Sequence, residues 1–311
     1  MVKKTESGIE KREGNPSLRP IIVTFAVMLY VLFIAQEVVF PHVLSPILNA
    51  LPSSYLGNMT LAYFFLFGLP VAVYIVYKLV TRQSLSAALF IKSLSLKNIL
   101  YIVIISLAIR SVFVLFELGL PFIFGDGVMQ WRPSQTSRLE SLIHRSVLVV
   151  IFEGFLFRGL LWREFDRTGT GFWKIALVTG ITFGIVHNGI FQIGHTTLSG
   201  IFFYAPLIYF TRSIWAPILH HVVMNTFPSN PANFVSSQAA YETAVPIFLI
   251  VLVVIAAVSI PFAVIFIRKF VAENKHRVAK KAEPQKKDKR FEIAFWALIV
   301  LLIVAVPVFR M

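Results

Sequence analysis

The sequence predicts an all-α, polytopic membrane helix bundle with about eight or nine transmembrane helices. Three observations carry this expectation. Apolar residues form 57% of the chain and charged ones 14%, well under the roughly 25% charged of an ordinary soluble domain. Apolar runs long enough to cross the ~30 Å hydrocarbon core as helices recur along the chain. Lys and Arg gather in alternate connecting segments, as the positive-inside bias requires.

The runs fall near 21–39, 59–80, 99–124, 142–162, 173–192, 195–211, 213–227, 244–267 and 292–309. The first follows a polar tail, 1–20, with Lys3, Lys4, Lys11, Arg12 and Arg19. It exceeds the roughly 7–15 apolar residues of a signal-peptide core and lacks a convincing small-residue cleavage site, so it reads as a retained anchor. With the tail in the cytoplasm, the inner segments carry Lys78, Arg82, Lys92 and Lys97, then Arg163, Arg167 and Lys174, then Arg212. The outer segments 40–58, 188–195 and 228–243 contain no Lys or Arg, whereas 125–146 breaks the pattern with Arg132, Arg138 and Arg145. The segment 83–97 reads as an amphipathic helix along the inner interface.

The net charge of +14 is concentrated: between Arg268 and Phe291 ten Lys/Arg stand against Glu273, Glu283 and Asp288. A basic stretch between two apolar runs fits a cytoplasmic loop on anionic lipid, and no nucleic-acid-binding module accompanies it. The resulting organisation is a cytoplasmic tail (1–20), amino-terminal transmembrane helices (21–141), a core (142–227), an outer loop and helix (228–267), the basic cytoplasmic loop (268–291) and a last helix (292–311). That implies a multi-pass protein of the cell membrane with its amino terminus cytoplasmic. The absence of cysteine excludes disulfides, thiolate metal sites and cysteine nucleophiles.

An ionisable group inside a membrane span is a functional candidate by default, because leaving it unpaired in lipid costs several kcal/mol. The spans offer Glu153, Arg158, His187, His220 and His221, the polar Asn225, and Arg110 in the third run. Glu37, near the end of the first run, reads as a snorkelling residue. His220 faces about 100° from His221 and reads as a packing contact. Arg110 reads as a structural charge, and Gln192 and His195 as interfacial.

Three spacings link the candidates. Glu153 and Arg158 stand five residues apart in Glu-Gly-Phe-Leu-Phe-Arg-Gly; Phe183 and His187 share a helix face at i, i+4; His221 and Asn225 do the same. The chain here resembles the CAAX-processing and bacteriocin-processing (Abi) family of intramembrane proteases, whose pattern is Glu-Glu-x-x-x-Arg, Phe-x-x-x-His and His-x-x-x-Asn, over roughly 142–227. One position departs: Gly154 stands where the family has its second glutamate. The change either strips Arg158 of its customary partner or opens room for other polar groups or water.

The resemblance implies a peptidase in which Glu153 is the general base, His187 shares in activating water, His221 and Asn225 stabilise the oxyanion, Phe183 shapes the wall and Arg158 supports the site. Its substrates would be membrane-associated peptides or proteins. No cofactor is implied, although Glu153, His187 and His221 would also serve as a two-histidine, one-carboxylate metal set. A carboxylate among apolar side chains suits proton transfer near neutral pH, and a donor fixed at a developing oxyanion is worth about 10²–10³ in rate. Two other classes compete: a catalytically silent relative that binds and regulates a membrane partner, and a transporter, for which the expected inverted repeats are absent. His-Glu-x-x-His is missing, Thr197-Leu198-Ser199-Gly200 lacks the first glycine of a rhomboid-type serine site, and Asp126 stands without a second membrane aspartate.

Overall fold

The computed structural model describes residues 18–50, 55–123, 142–187, 190–227, 235, 237–279 and 289–308, and among these the chain is helical with no strand. The amino-terminal tail before Leu18, Arg132, Arg138 and the 280–288 part of the basic stretch lie outside the described residues, as does the side chain of Glu37. Ten helical stretches follow in chain order: α1 (19–50), α2 (55–80), α3 (Leu85–Leu89), α4 (Leu96–Ile123), α5 (142–167), α6 (Phe172–Ile185), α7 (190–211), α8 (Trp215–Thr226), α9 (Gln238–Ala279) and α10 (Lys289–Val308). Gly57–Val80, Leu96–Phe116 and Gln238–Lys275 are each long and apolar enough to cross a membrane. Their outer faces carry large apolar side chains in the open, such as Val73, Phe116, Ile247, Ile250 and Val254, a surface that suits lipid and not water.

Three segments depart from the sequence expectation. The apolar run 173–192 is not one helix: α6 ends at Ile185 and α7 begins at Ile190, with His187 in the turn between them. The polar His187-Asn188-Gly189 sequence marks the break, but averaging hydropathy over the otherwise apolar run hides it. The segment 83–97 forms only the short α3, and its Ala88, Leu89 and Phe90 are buried in the bundle, so it plugs the core rather than lying along an interface. The 244–267 run is part of the longer α9, which continues into the basic stretch as far as Ala279. There Glu273 pairs with Lys97 of α4, and Asn274 exchanges side-chain hydrogen bonds of 3.4 Å with Asn98, which gives the extension polar anchors.

The centre of the bundle is α5 to α8. Val150, Trp162, Phe165, Ile175, Val178, Ile208 and Ile218 pack together there, and Phe295 of α10 joins them. Beside them Leu156, Phe157, Phe183 and Tyr204 pack on Val31, Phe67 and Tyr74 of α1 and α2. On the other flank α9 lies along α4, and their shared core of Ile102, Ile105, Ala263 and Phe270 meets Leu207 and Ala216.

Small residues set the closest crossing. Gly180 and Gly184 form a Gly-x-x-x-Gly edge on α6, and a Cβ built on Gly200 of α7 would lie 2.7 Å from the Cα of Gly180. Lipid offers no hydrophobic drive for helix association, so close backbone approach and van der Waals contact hold such pairs. This crossing brings Tyr204, one turn beyond Gly200, against Phe183, one residue before Gly184, with ring centroids 5.7 Å apart.

At one end of the bundle, the basic residues expected as a solvated inner face are largely paired. Buried Glu164 takes Arg19 at 2.8 Å, Lys78 at 3.7 Å and the Tyr74 hydroxyl at 2.9 Å. Buried Asp166 takes both terminal nitrogens of Arg212, at 3.0 and 2.8 Å, and Arg163 at 3.2 Å. Arg212 closes α7 in the left-handed region with φ 54°, and it and Arg163 stack on the Phe90 ring at 4.5 and 4.4 Å. The break between α7 and α8 is thereby pinned to α5.

Gly180→Leu and Gly200→Ala should each destabilise the detergent-solubilised protein by about 1–3 kcal/mol, as overpacking does. Gly194→Ala, where a Cβ meets nothing within 4 Å, should leave the unfolding temperature unchanged or slightly raised. Thermal unfolding of the three variants checks both statements.

Candidate functional site

Glu153 sits in the middle of α5, where the winding widens into a π-type stretch over Gly154–Leu161. Such stretches re-aim side chains and often mark functional positions. The Glu153 side chain is buried, and its Oε2 stands 3.8 Å from Nδ1 of His221 on α8. That is too long for a direct hydrogen bond and suits a bridge through one water. Oε2 makes no hydrogen bond to protein.

Phe183 is the hub of the cluster. Its ring meets His187 at 4.7 Å and His221 at 5.8 Å, both edge-on. His187 lies past the last turn of α6, not within a helix as its i, i+4 spacing from Phe183 suggests, and its Nδ1 is 2.8 Å from the Phe183 carbonyl oxygen. A carbonyl only accepts, so Nδ1 is the donor, and a neutral imidazole then carries its lone pair on Nε2. The helix end causes this arrangement: its last carbonyls lack intrahelical partners, and the imidazole satisfies one.

Arg158 is buried with its guanidinium 3.8 Å from the Phe183 ring centroid and 4.3 Å from that of Tyr204. Its two terminal nitrogens have no hydrogen-bond partner. The space at Gly154 is not a polar cavity, as one sequence alternative allowed: a Cβ there would lie 2.4 and 2.8 Å from carbons of Ile218. An isoleucine side chain from the helix that bears His221 fills the place of the second glutamate.

Asn225, one helical turn beyond His221, is exposed near the end of α8. The two-histidine, one-carboxylate set does not assemble: among the described residues no group of three or more His, Asp or Glu converges as metal ligands. His220 is buried, with Nδ1 2.7 Å from the Ser106 hydroxyl, which itself reaches the Ile102 carbonyl at 2.5 Å; this links α8 to α4. His195 lies edge-on to Phe113 of α4 at 4.6 Å.

Two participants escaped the sequence reading. Tyr204 touches Phe183, His220 and His221, at 5.7, 5.2 and 5.3 Å, as well as Arg158. In the run Ile-Phe-Phe-Tyr-Ala it reads as one more core aromatic, and only its phenol oxygen in an apolar stretch was a signal. Ile218 carries no signal at all, since an isoleucine three residues before His221 is ordinary helix packing.

Residues 136–227 match the family described as type II CAAX prenyl endopeptidase Rce1-like. Over these residues the chain is similar to that family. The match includes all of α5 to α8 and starts six residues before the core expected from sequence. A Bacillus subtilis (strain 168) protein named "Putative membrane peptidase YdiL" is 34% identical over 86 residues, which cover 28% of this chain and 34% of that protein. The aligned region is thus about a third of the relative's length. No solved structure matches the chain significantly. Within the matched residues a chain of neighbours runs from Glu153 to His221 at 3.8 Å, from His221 to Phe183 and from Phe183 to Arg158 and His187.

Gly154→Ala should destabilise the protein by about 1–3 kcal/mol, because the new methyl overlaps Ile218. In an Ile218→Ala background, itself destabilised by the cavity it opens, Gly154→Ala should cost little more. Unfolding of the single and double variants in detergent reads the interaction directly, and additive losses would contradict the overlap.

Proposed function

We propose that this protein is an intramembrane endopeptidase that hydrolyses peptide bonds of membrane-associated peptides or proteins by glutamate-activated water. The observation that carries the reading is the one-water separation of 3.8 Å between Glu153 Oε2 and His221 Nδ1 within the residues similar to the Rce1-like family. The similarity to an endopeptidase family and to a Bacillus protein named "Putative membrane peptidase YdiL" supports the same class.

In this reading Glu153 takes a proton from water, the resulting hydroxide adds to the scissile carbonyl carbon, and the proton passes to the departing amine. His187 orients the water through Nε2, the nitrogen left with a lone pair once Nδ1 caps the Phe183 carbonyl. His221 and Asn225 would donate to the oxyanion, Asn225 from its exposed position near the end of α8. Phe183 forms the wall, and Arg158 supplies a buried positive charge behind it.

The chain would cross the cell membrane eight or nine times with its amino terminus in the cytoplasm. Segments 21–141, 228–267 and 292–311 would frame the catalytic core at 142–227, and the basic stretch 268–291 would rest on anionic lipid. The dense pairing of Arg19, Lys78, Arg163 and Arg212 at one end of the bundle supports that end as the inner one.

The test is cleavage in cells and in detergent by wild type and Glu153→Gln. The substitution should lower the rate by about 10²–10⁴ while leaving expression and unfolding temperature intact. Carboxyl-terminal fragment proteomics should show products in the wild type that vanish in Glu153→Gln. The packing of Ile218 against Gly154 favours one second reading, a catalytically silent regulator of a membrane partner. Identical fragment sets together with an unchanged cellular effect of Glu153→Gln would establish that reading and remove the first.

A further inference from the structure

Among the groups buried near the site, Arg158 is a cation whose terminal nitrogens make no hydrogen bond. A guanidinium taken from water costs several kcal/mol and normally requires a carboxylate at hydrogen-bond distance. None is present at that distance among the described residues, since the terminal nitrogens have no hydrogen-bond partner and the Glu153 carboxylate lies beyond ion-pair contact. Nor could a carboxylate be supplied from position 154, because the first carbon of a side chain there would overlap Ile218.

Two aromatic rings approach the guanidinium closely instead, while the Phe157 ring stands farther off at 5.9 Å. The Phe183 centroid lies 3.8 Å away and that of Tyr204 4.3 Å, both inside the roughly 6 Å range of cation–π attraction. A delocalised guanidinium stacks well on ring faces and is more weakly hydrated than an ammonium, which suits it to a dry aromatic setting. The same rings contact His221, and Phe183 also contacts His187. The clamp is therefore built into the wall of the proposed site.

We infer that Tyr204 is a positioning residue that, with Phe183, holds Arg158 by its ring face and so replaces the second carboxylate that Gly154 omits. This rests on the peptidase reading for its catalytic consequence, because the held charge stands behind Glu153. The ring does the holding, so the phenol hydroxyl is dispensable and a flat aromatic residue substitutes for it. Ile218 and Gly154 are the complementary half of the exchange: an apolar pair occupies the volume that a carboxylate would need.

The test uses the full chain in detergent with a cleaved reporter peptide. Tyr204→Phe should retain kcat within about threefold, whereas Tyr204→Leu should lose roughly 10- to 100-fold in kcat with KM little changed. Adding Gly154→Glu with Ile218→Ala to Tyr204→Leu should recover at least tenfold, because a carboxylate can then hold Arg158 directly. Equal losses in Tyr204→Phe and Tyr204→Leu, full activity in Tyr204→Leu, or no recovery in the triple variant would each overturn the inference.

A double-mutant cycle of Arg158→Gln and Tyr204→Leu, read by unfolding, separates the clamp from the chemistry. The pair should be coupled by roughly tenfold in the unfolding equilibrium, as a desolvated cation–π contact implies. Coupling in a protein without peptidase activity would defeat the peptidase reading and leave the clamp standing. Additive effects would remove the clamp, whatever the activity.

Discussion

A buried positive charge is the constraint around which the core of this protein is arranged. Arg158 lies inside an apolar bundle, where an unpaired guanidinium is among the least favourable groups a protein can hold. The surrounding elements meet that demand together. The wide winding of α5 presents the side chain inward, Phe183 and Tyr204 flank it, and the glycine crossing of α6 and α7 brings those two rings close. Remove the close approach at Gly180 and Gly200, and the rings no longer meet around the cation.

The bundle treats its charges in two ways. At the end that carries Glu164 and Asp166, carboxylates are surrounded by several cations each, and the resulting network ties α1, α2, α5 and the α7–α8 break together. In the centre, Glu153 and Arg158 share one helix but not an ion pair, so each keeps polar atoms uncommitted to protein partners. Networks of the first kind lock helices. A pair of the second kind keeps electrostatic potential available for a reacting group, because oriented charge in a low-dielectric setting acts strongly when it is not cancelled at contact distance.

His187 ties the end of α6 to the cluster around Phe183. Its placement in the turn after α6 lets one nitrogen satisfy the helix end while the other stays defined in tautomer. A histidine within the regular helix would find the Phe183 carbonyl already engaged by the backbone. The break between α6 and α7 thus gives the imidazole its orientation, and the ring of Phe183 keeps it there.

The sequence by itself determined the membrane class, the apolar helices and the identity of the polar residues that stand within them, since composition and run length express the cost of exposing polar groups to lipid. The paired spacings Glu153–Arg158, Phe183–His187 and His221–Asn225 were legible for the same reason: few such residues tolerate those surroundings. Tertiary structure alone decided that Ala88, Leu89 and Phe90 turn inward and that Ile218 occupies the space beside Gly154. It also decided that Tyr204, one aromatic among many, faces Arg158. These outcomes depend on which faces of separate helices meet, and apolar side chains carry no local mark of the partner they will pack against.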